Sequence, residues 1–198
     1  MGFEHTLAVA MGASWVSGIK LYAGVAMLGL LSRFGQLQLP GNLEFLTSWW
    51  IIGLAAVLYV IEFLADKIPL IDSMWDTFHT FIRIPAGAAL AFAAFGKYDA
   101  IIQGIAFLLG GGIAASSHGT KSLTRAAINT SPEPFSNITA SLIEDGVAVG
   151  AIALVAYYPV ILIGVVVVAV IASLIVIPKM IRFLRNTIAG LSGPPGAT

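Results

Sequence analysis

The sequence predicts an all-α, polytopic membrane protein, a helical bundle with about six transmembrane helices. Of its 198 residues, 58% are hydrophobic and only 10% are charged, whereas about a quarter of the residues in a soluble domain are charged. Long apolar runs recur along the chain, separated by short polar stretches. We therefore interpret residues 1–198 as a single membrane domain whose first partner is the lipid bilayer.

Composition also limits the chemistry of the protein. Ten basic and ten acidic residues balance, and the chain has no cysteine. A neutral chain has no global field that would attract nucleic acid, and the lack of thiols excludes disulfides and cysteine nucleophiles. Neither a phosphate loop nor a serine-hydrolase or zinc-protease motif occurs. We therefore predict neither an enzyme nor a bound cofactor.

The first predicted span covers residues 6–31, and the second covers residues 45–65. Gly18 and Lys20 lie near the middle of the first span. A polar, flexible patch at that depth is costly in lipid, so it indicates a protein-lined or wet interior. Trp49 is placed to anchor the start of the second span at the membrane interface.

The stretch from residue 62 to residue 83 concentrates ionisable side chains between apolar runs. Pro69 is predicted to begin a new helix there, and Pro85 is predicted to break or kink it. The third span, residues 78–96, is rich in alanine and glycine, which suits close helix contact. The fourth span covers residues 100–117.

The fifth and sixth spans are predicted at residues 138–158 and 160–177. Two prolines within residues 131–134 predict an extended break before the fifth span. The tail, residues 187–198, ends in glycine and proline and is predicted to be disordered.

Loop charges and an internal similarity predict the topology. Lysine and arginine are more frequent in alternate loops, which places both termini in the cytoplasm of a multi-pass inner-membrane protein. A shift of 101 residues brings Gly18 and Lys20 onto Gly119 and Lys121. We therefore predict an inverted repeat of two three-helix units, residues 1–98 and 99–186, whose two lysines meet near the midplane. Alternatively, the two lysines extend to opposite interfaces.

Ionisable groups within membrane spans are candidates for function because burying each one in lipid costs about 2.5 to 3.5 kcal/mol. Such groups could line a pathway for a solute, or they could form structural salt bridges that close the bundle. The predicted pathway residues are Lys20, Glu62, Asp66, His118, Lys121, Arg125, Asn137, Ser141, Glu144 and Asp145.

A second set of residues has the chemistry of a metal site. Asp72, Asp76 and His79 fall on one face of a helix and offer oxygen and nitrogen ligands for a divalent ion. Ion pairing along the helix with Arg83 and Lys67 explains the same spacing.

Two strings, EFLADKIPLIDSMWDTFHTFIRIPAGA and HGTKSLTRAAINTSPEPFSNITASLIED, resemble a family of small prokaryotic membrane proteins catalogued only as a domain of unknown function. The resemblance covers nearly the whole chain. It implies an all-helical integral membrane fold and supplies no activity, substrate or site residue.

These observations favour a small transporter or channel for a charged or proton-coupled solute, assembled as a homodimer because six short spans leave little room for a pathway. The alternative is an accessory or scaffold subunit of a larger membrane complex, with residues 62–83 as a docking helix. Solvent exposure of Asp72, Asp76 and His79 distinguishes the two hypotheses.

Overall fold

The computed structural model describes residues 2–130 and 134–191, and all regular structure in these two ranges is helical. A short 3-10 helix, Leu43–Thr47, precedes the second long helix. The six long helices are α1 (Phe3–Arg33), α2 (Trp49–Ala65), α3 (Pro69–Ala94), α4 (Ala100–Ile128), α5 (Pro134–Tyr157) and α6 (Pro159–Leu191).

Four of the described helices, α1, α4, α5 and α6, are long and apolar enough to cross a membrane, and α2 is a shorter apolar helix. Several helices run further than predicted. The α3 helix continues through Pro85 and α6 through Pro178. The α4 helix continues to residue 128, beyond the predicted end of the fourth span at residue 117, because His118, Lys121 and Arg125 are buried inside the bundle.

Two predictions fall partly on residues outside the described ranges. The predicted break falls partly on residues 131–133, outside the described residues, and α5 begins directly after them at Pro134. Of the predicted disordered tail, residues 187–191 are helical, and residues 192–198 lie outside the described part of the chain.

The α1 helix is a hairpin of two helical arms, residues 3–19 and 21–33. Lys20 joins the arms with non-helical angles, φ −146° and ψ 74°. A Cβ atom built on Gly24 would lie 3.5 Å from the Cβ atom of Val16, although eight residues of straight helix span about 12 Å. Beyond the second arm, the carbonyl oxygen of Gln38 lies 2.8 Å from a ring nitrogen of His5. The chain therefore turns back at Lys20.

Contacts between helices define two ends of the bundle. At the Phe3 end, the ring of Phe3 lies 6.1 Å from the ring of Tyr98, just before α4. At the Met180 end, the sulfur of Met180 lies 3.9 Å from the hydroxyl of Thr124, near the end of α4. The two described ends of the chain thus lie at opposite ends of the bundle. This arrangement contradicts the expectation that both termini share one side of the membrane.

The first arm of α1 and the α4 helix run in the same direction. Tyr98 lies beside Phe3 at their starts, and the Ser117 hydroxyl donates to the Trp15 carbonyl oxygen at 2.8 Å near their ends. Helices related by an inverted repeat would run in opposite directions. Because the hairpin adds one segment, four segments precede α4 rather than three, and the predicted inversion is wrong for this pair of helices.

The hairpin can be tested by cross-linking, since the chain contains no competing cysteine. We expect Val16→Cys/Gly24→Cys to form an intramolecular disulfide on mild oxidation, because the 3.5 Å separation matches the geometry of a disulfide. Maleimide labelling of the remaining thiols measures the reaction. Val167→Cys/Ile175→Cys, with the same spacing on α6, should keep both thiols. Equal labelling of the two variants would contradict the hairpin.

Candidate functional site

Five helices bring ten charged side chains to one level of the bundle, where they form what we call the charge cluster. The turn in α1, the end of α2, the first half of α3, the second half of α4 and the first half of α5 meet there. Its members are Lys20, Glu62, Asp66, Asp72, Asp76, Arg83, Lys121, Arg125, Glu144 and Asp145.

The charge cluster lies away from the middle of the bundle. Lys20 follows Phe3 by 17 residues, a rise of about 26 Å in a helix. The apolar part of α6 from Pro159 to Pro178 covers 20 residues, about 30 Å, which is the thickness of the hydrocarbon core. The hydroxyl of Thr120, next to Lys121, lies 2.9 Å from the Ser173 hydroxyl of α6, so the cluster lies beside the second half of this apolar stretch. The position of Lys20 and Lys121 relative to the membrane midplane stays a prediction.

The turn at Lys20 exposes backbone carbonyl groups that a continuous helix would satisfy. The ring Nδ1 atom of His118 lies 3.2 Å from the carbonyl oxygen of Gly18. The ammonium of Lys121 donates to the carbonyl oxygen of Ile19 at 3.3 Å. A Cβ atom at Gly18 would overlap α4, so glycine permits this close approach. Interrupted helices of this kind form the ion sites of many transporters.

The two lysines share the same carboxylates. Lys20, which is completely buried, pairs with Asp66 and lies 3.2 Å from Asp145. The Lys121 ammonium lies 3.1 Å from Asp76, 3.5 Å from Glu144 and 3.7 Å from Asp66. Since both reach the same carboxylate, the two lysines do not extend to opposite interfaces. The predicted meeting of Lys20 and Lys121 is thus present, through Asp66, which contacts both.

Arg83 is a central member of the cluster that the sequence did not indicate as a site residue. It is fully buried, pairs with Glu62, and donates to Asp76 at 2.7 Å. Asp76 and Arg83 are seven residues apart, or two helical turns, so their common face was visible. The sequence did not reveal that Glu62 of the preceding helix completes the pair.

Arg125 holds α5 against the cluster. Its guanidinium donates to both oxygens of Glu144 at 2.9 Å, which is a bidentate pair. The same group donates to the carbonyl and side-chain oxygens of Asn137 at 3.0 and 3.1 Å. Ser141, one turn later, is also completely buried. The polar side chains of Asn137 and Ser141 on α5 therefore face the interior of the bundle.

The two buried histidines contact mostly neutral groups, although the Arg83 guanidinium also lies 3.5 Å from the Nδ1 atom of His118. The Nε2 atom of His79 lies 2.9 Å from the Tyr22 hydroxyl, its Nδ1 lies 2.7 Å from the Trp75 carbonyl oxygen, and its ring stacks on Trp75. His118 contacts the Thr80 hydroxyl at 2.7 Å. Since both nitrogens of His79 are occupied, the structure does not place His79 with Asp72 and Asp76 as a ligand.

Asp66 takes the place predicted for His79. One oxygen atom from each of Asp66, Asp72 and Asp76 lies within 4.8 Å of the other two, a spacing that could hold a metal ion. However, Lys121 lies within 3.7 Å of both Asp66 and Asp76. An ammonium group of the chain itself therefore already pairs with two of these three carboxylates.

Asp72 is the least compensated carboxylate of the charge cluster. Its side chain is completely buried, and neither oxygen has a hydrogen-bond partner among the described residues. Its nearest cation is Arg125, at 3.8 Å. It precedes the apolar stretch of α3 that begins at Phe78. Burial, aided by Asp76 and Asp66 and opposed by Arg125, raises the pKa of Asp72 to about 7.

The fold and the site define a class: a polytopic helical membrane protein with a cluster of buried, mutually paired charges. Comparison with known proteins gives the family. A family model described as "Domain of unknown function (DUF4126)" matches residues 7–179, and the chain belongs to this family. The match includes every member of the charge cluster. No curated protein and no solved structure matches the chain.

The pair between Arg83 and Glu62 provides a test of the packing. We expect Arg83→Met to destabilise the protein by about 3 to 5 kcal/mol, because it leaves a buried carboxylate without its partner. Glu62→Leu/Arg83→Met should recover a large part of this loss, since it removes both charges. Unfolding in detergent, followed by circular dichroism, measures both, with the exposed Arg182→Met as control. A double variant no more stable than Arg83→Met would contradict the pairing.

Proposed function

We propose that this protein is a small membrane transporter that couples a charged solute to protons, with the charge cluster as its coupling site. The observation that carries the proposal is an imbalance of buried charge. Among the described residues, the ion pairs of the cluster join six carboxylates to four cations. Excess negative charge away from water is costly unless a cation or a proton neutralises it.

Asp72 is the residue that this proposal assigns to the proton. Because Asp72 is buried and none of the described residues donates a hydrogen bond to it, it favours its neutral form when the site holds no other cation. A cation that enters the cluster would stabilise the ionised form, and the proton would then leave. A group with a pKa of about 7 can make this exchange near neutral pH, as a proton-coupled carrier requires.

Burial of the second half of the 62–83 stretch favours transport over the accessory-subunit alternative. That alternative needs Asp72, Asp76 and His79 on an outward docking surface. Their exposed fractions are 0%, 3% and 6%, so this face is directed into the bundle. A scaffold role through another surface stays a prediction, as do the predicted homodimer and the absence of catalysis.

The orientation follows from the cations outside the cluster. Near the Met180 end, α6 carries Lys179, Arg182 and Arg185, all exposed, whereas Arg33 and Lys97 lie at the Phe3 end. By the positive-inside rule, the Met180 end faces the cytoplasm. We therefore propose a cytoplasmic C-terminus and an N-terminus on the opposite side of the inner membrane.

Access to the charge cluster also differs between the two ends. Completely or almost completely buried apolar side chains fill the bundle on the Phe3 side, among them Val9, Leu28, Leu43 and Leu46. Protons would therefore exchange between Asp72 and the cytoplasmic side in this conformation. Movement of the α1 hairpin, whose turn is part of the site, would open the other side.

A pH jump on proteoliposomes tests the proposal without a known solute. A sudden fall in external pH should produce a transient capacitive current on a solid-supported membrane, because protons enter a buried site. Asp72→Asn should lose most of that current. Glu44→Gln, which alters an exposed carboxylate in the 3-10 helix, should retain it. Equal currents from Asp72→Asn and wild type would overturn the assignment of Asp72.

A further inference from the structure

A groove with a volume of about 690 Å³ lies between α4, α5 and α6. This volume is typical of a site for a small organic molecule. Two side chains at its rim, Phe135 and Ile143, are 75% and 61% exposed, so the groove opens on the apolar flank of the bundle. A molecule could enter it sideways from the bilayer.

The walls of the groove are suited to an apolar body. Ala140, Val147, Ala169 and Val176 contribute aliphatic surface. The hydroxyl groups that line it already have partners. Those of Thr120 and Thr139 donate to carbonyl oxygens of their own helices at 2.9 Å, and that of Ser117 donates to Trp15. Their methyl and methylene groups remain for contact with a ligand.

The inner end of the groove reaches the charge cluster at Lys121 and Glu144. The side chain of Glu144 is 14% exposed, the largest fraction among the paired carboxylates of the cluster. Both groups are already paired: three carboxylates surround the Lys121 ammonium within 3.7 Å, and Glu144 is bound by Arg125 and lies 3.5 Å from Lys121. The described ion pairs behind them join six carboxylates to four cations, so a ligand in the groove meets a field that is negative overall.

We propose that this groove binds an organic monocation with a bulky apolar body, which enters from the membrane and places its charge beside Glu144. The inference deepens the proposed function by naming its substrate class, and it rests on that function. The apolar body replaces lipid against the aliphatic walls. The positive charge offsets one of the two excess negative charges, and the proton displaced from Asp72 leaves for the cytoplasm.

Two ions of nearly identical shape and opposite charge, tetraphenylphosphonium and tetraphenylborate, test both parts of the inference. We expect the purified protein in detergent to bind tetraphenylphosphonium saturably in equilibrium dialysis, and tetraphenylborate at least about tenfold more weakly. Shape alone would give equal binding. Equal binding of the two ions would overturn the assignment of a cation.

Variants locate the site. Ala169→Phe fills the groove and should weaken binding of tetraphenylphosphonium about tenfold or more. Val168→Phe adds the same ring to the neighbouring exposed position, outside the groove lining, and should bind as wild type does. Glu144→Gln should weaken the binding of the cation. If Glu144→Gln fails to fold, Ala169→Phe still tests the location of the site. Equal losses in Ala169→Phe and Val168→Phe would overturn the location.

The remaining outcomes separate this inference from the proposed function. A groove that retains a co-purified phospholipid and does not bind tetraphenylphosphonium would be a lipid site, and the inference would fail. If pH-jump currents depend on Asp72 but the cation does not bind, the inference fails alone. If the cation binds as expected but those currents are absent, the proton coupling fails while the groove assignment stands.

Discussion

The structure depends on the pairing of ten charged groups, most of them completely or almost completely buried. Removing even one such group from water costs several kcal/mol unless partners surround it, so the helices that carry these groups must meet at one level. Lys20 and Lys121 both reach Asp66, while Arg83 joins the end of α2 to α3 through Glu62. Arg125 brings in α5 through Glu144. The pairing thus fixes the relative positions of five helices.

The turn at Lys20 is what makes this arrangement possible. It ends the first arm of α1 at the level of the cluster, directs the carbonyl groups of Gly18 and Ile19 towards α4, and returns the chain to the Phe3 end. The added segment sets the direction of every later helix, so that the described ends of the chain lie on opposite sides of the bundle. The same interruption gives a transport cycle an element that can move without unfolding a continuous helix.

Much of this site could be predicted from the sequence because placing a charged side chain inside a membrane costs free energy, so each charge within an apolar run marks a candidate site. Seven of the ten predicted pathway residues are members of the charge cluster, and His118 and Asn137 contact its arginines. Ser141 is buried one turn after Asn137. The sequence could not show that the chain reverses its direction at Lys20. A kinked helix and a hairpin differ there only in the backbone angles of this one residue, which the residue type does not determine. The roles of Arg83 and His79 depend on Glu62 and Tyr22, which come from other helices, and spacing along one helix cannot show such contacts.

The central claim is that the excess negative charge of the cluster is a binding site for a proton, and infrared spectroscopy tests it most directly. The carbonyl stretch of a protonated carboxyl group is followed as the pH is raised from about 5 to about 9. In the wild-type protein this band should disappear with a midpoint near the Asp72 pKa of about 7. Asp72→Asn should lack that component. A spectrum without a titrating carboxyl group, or an unchanged component in Asp72→Asn, would contradict the account.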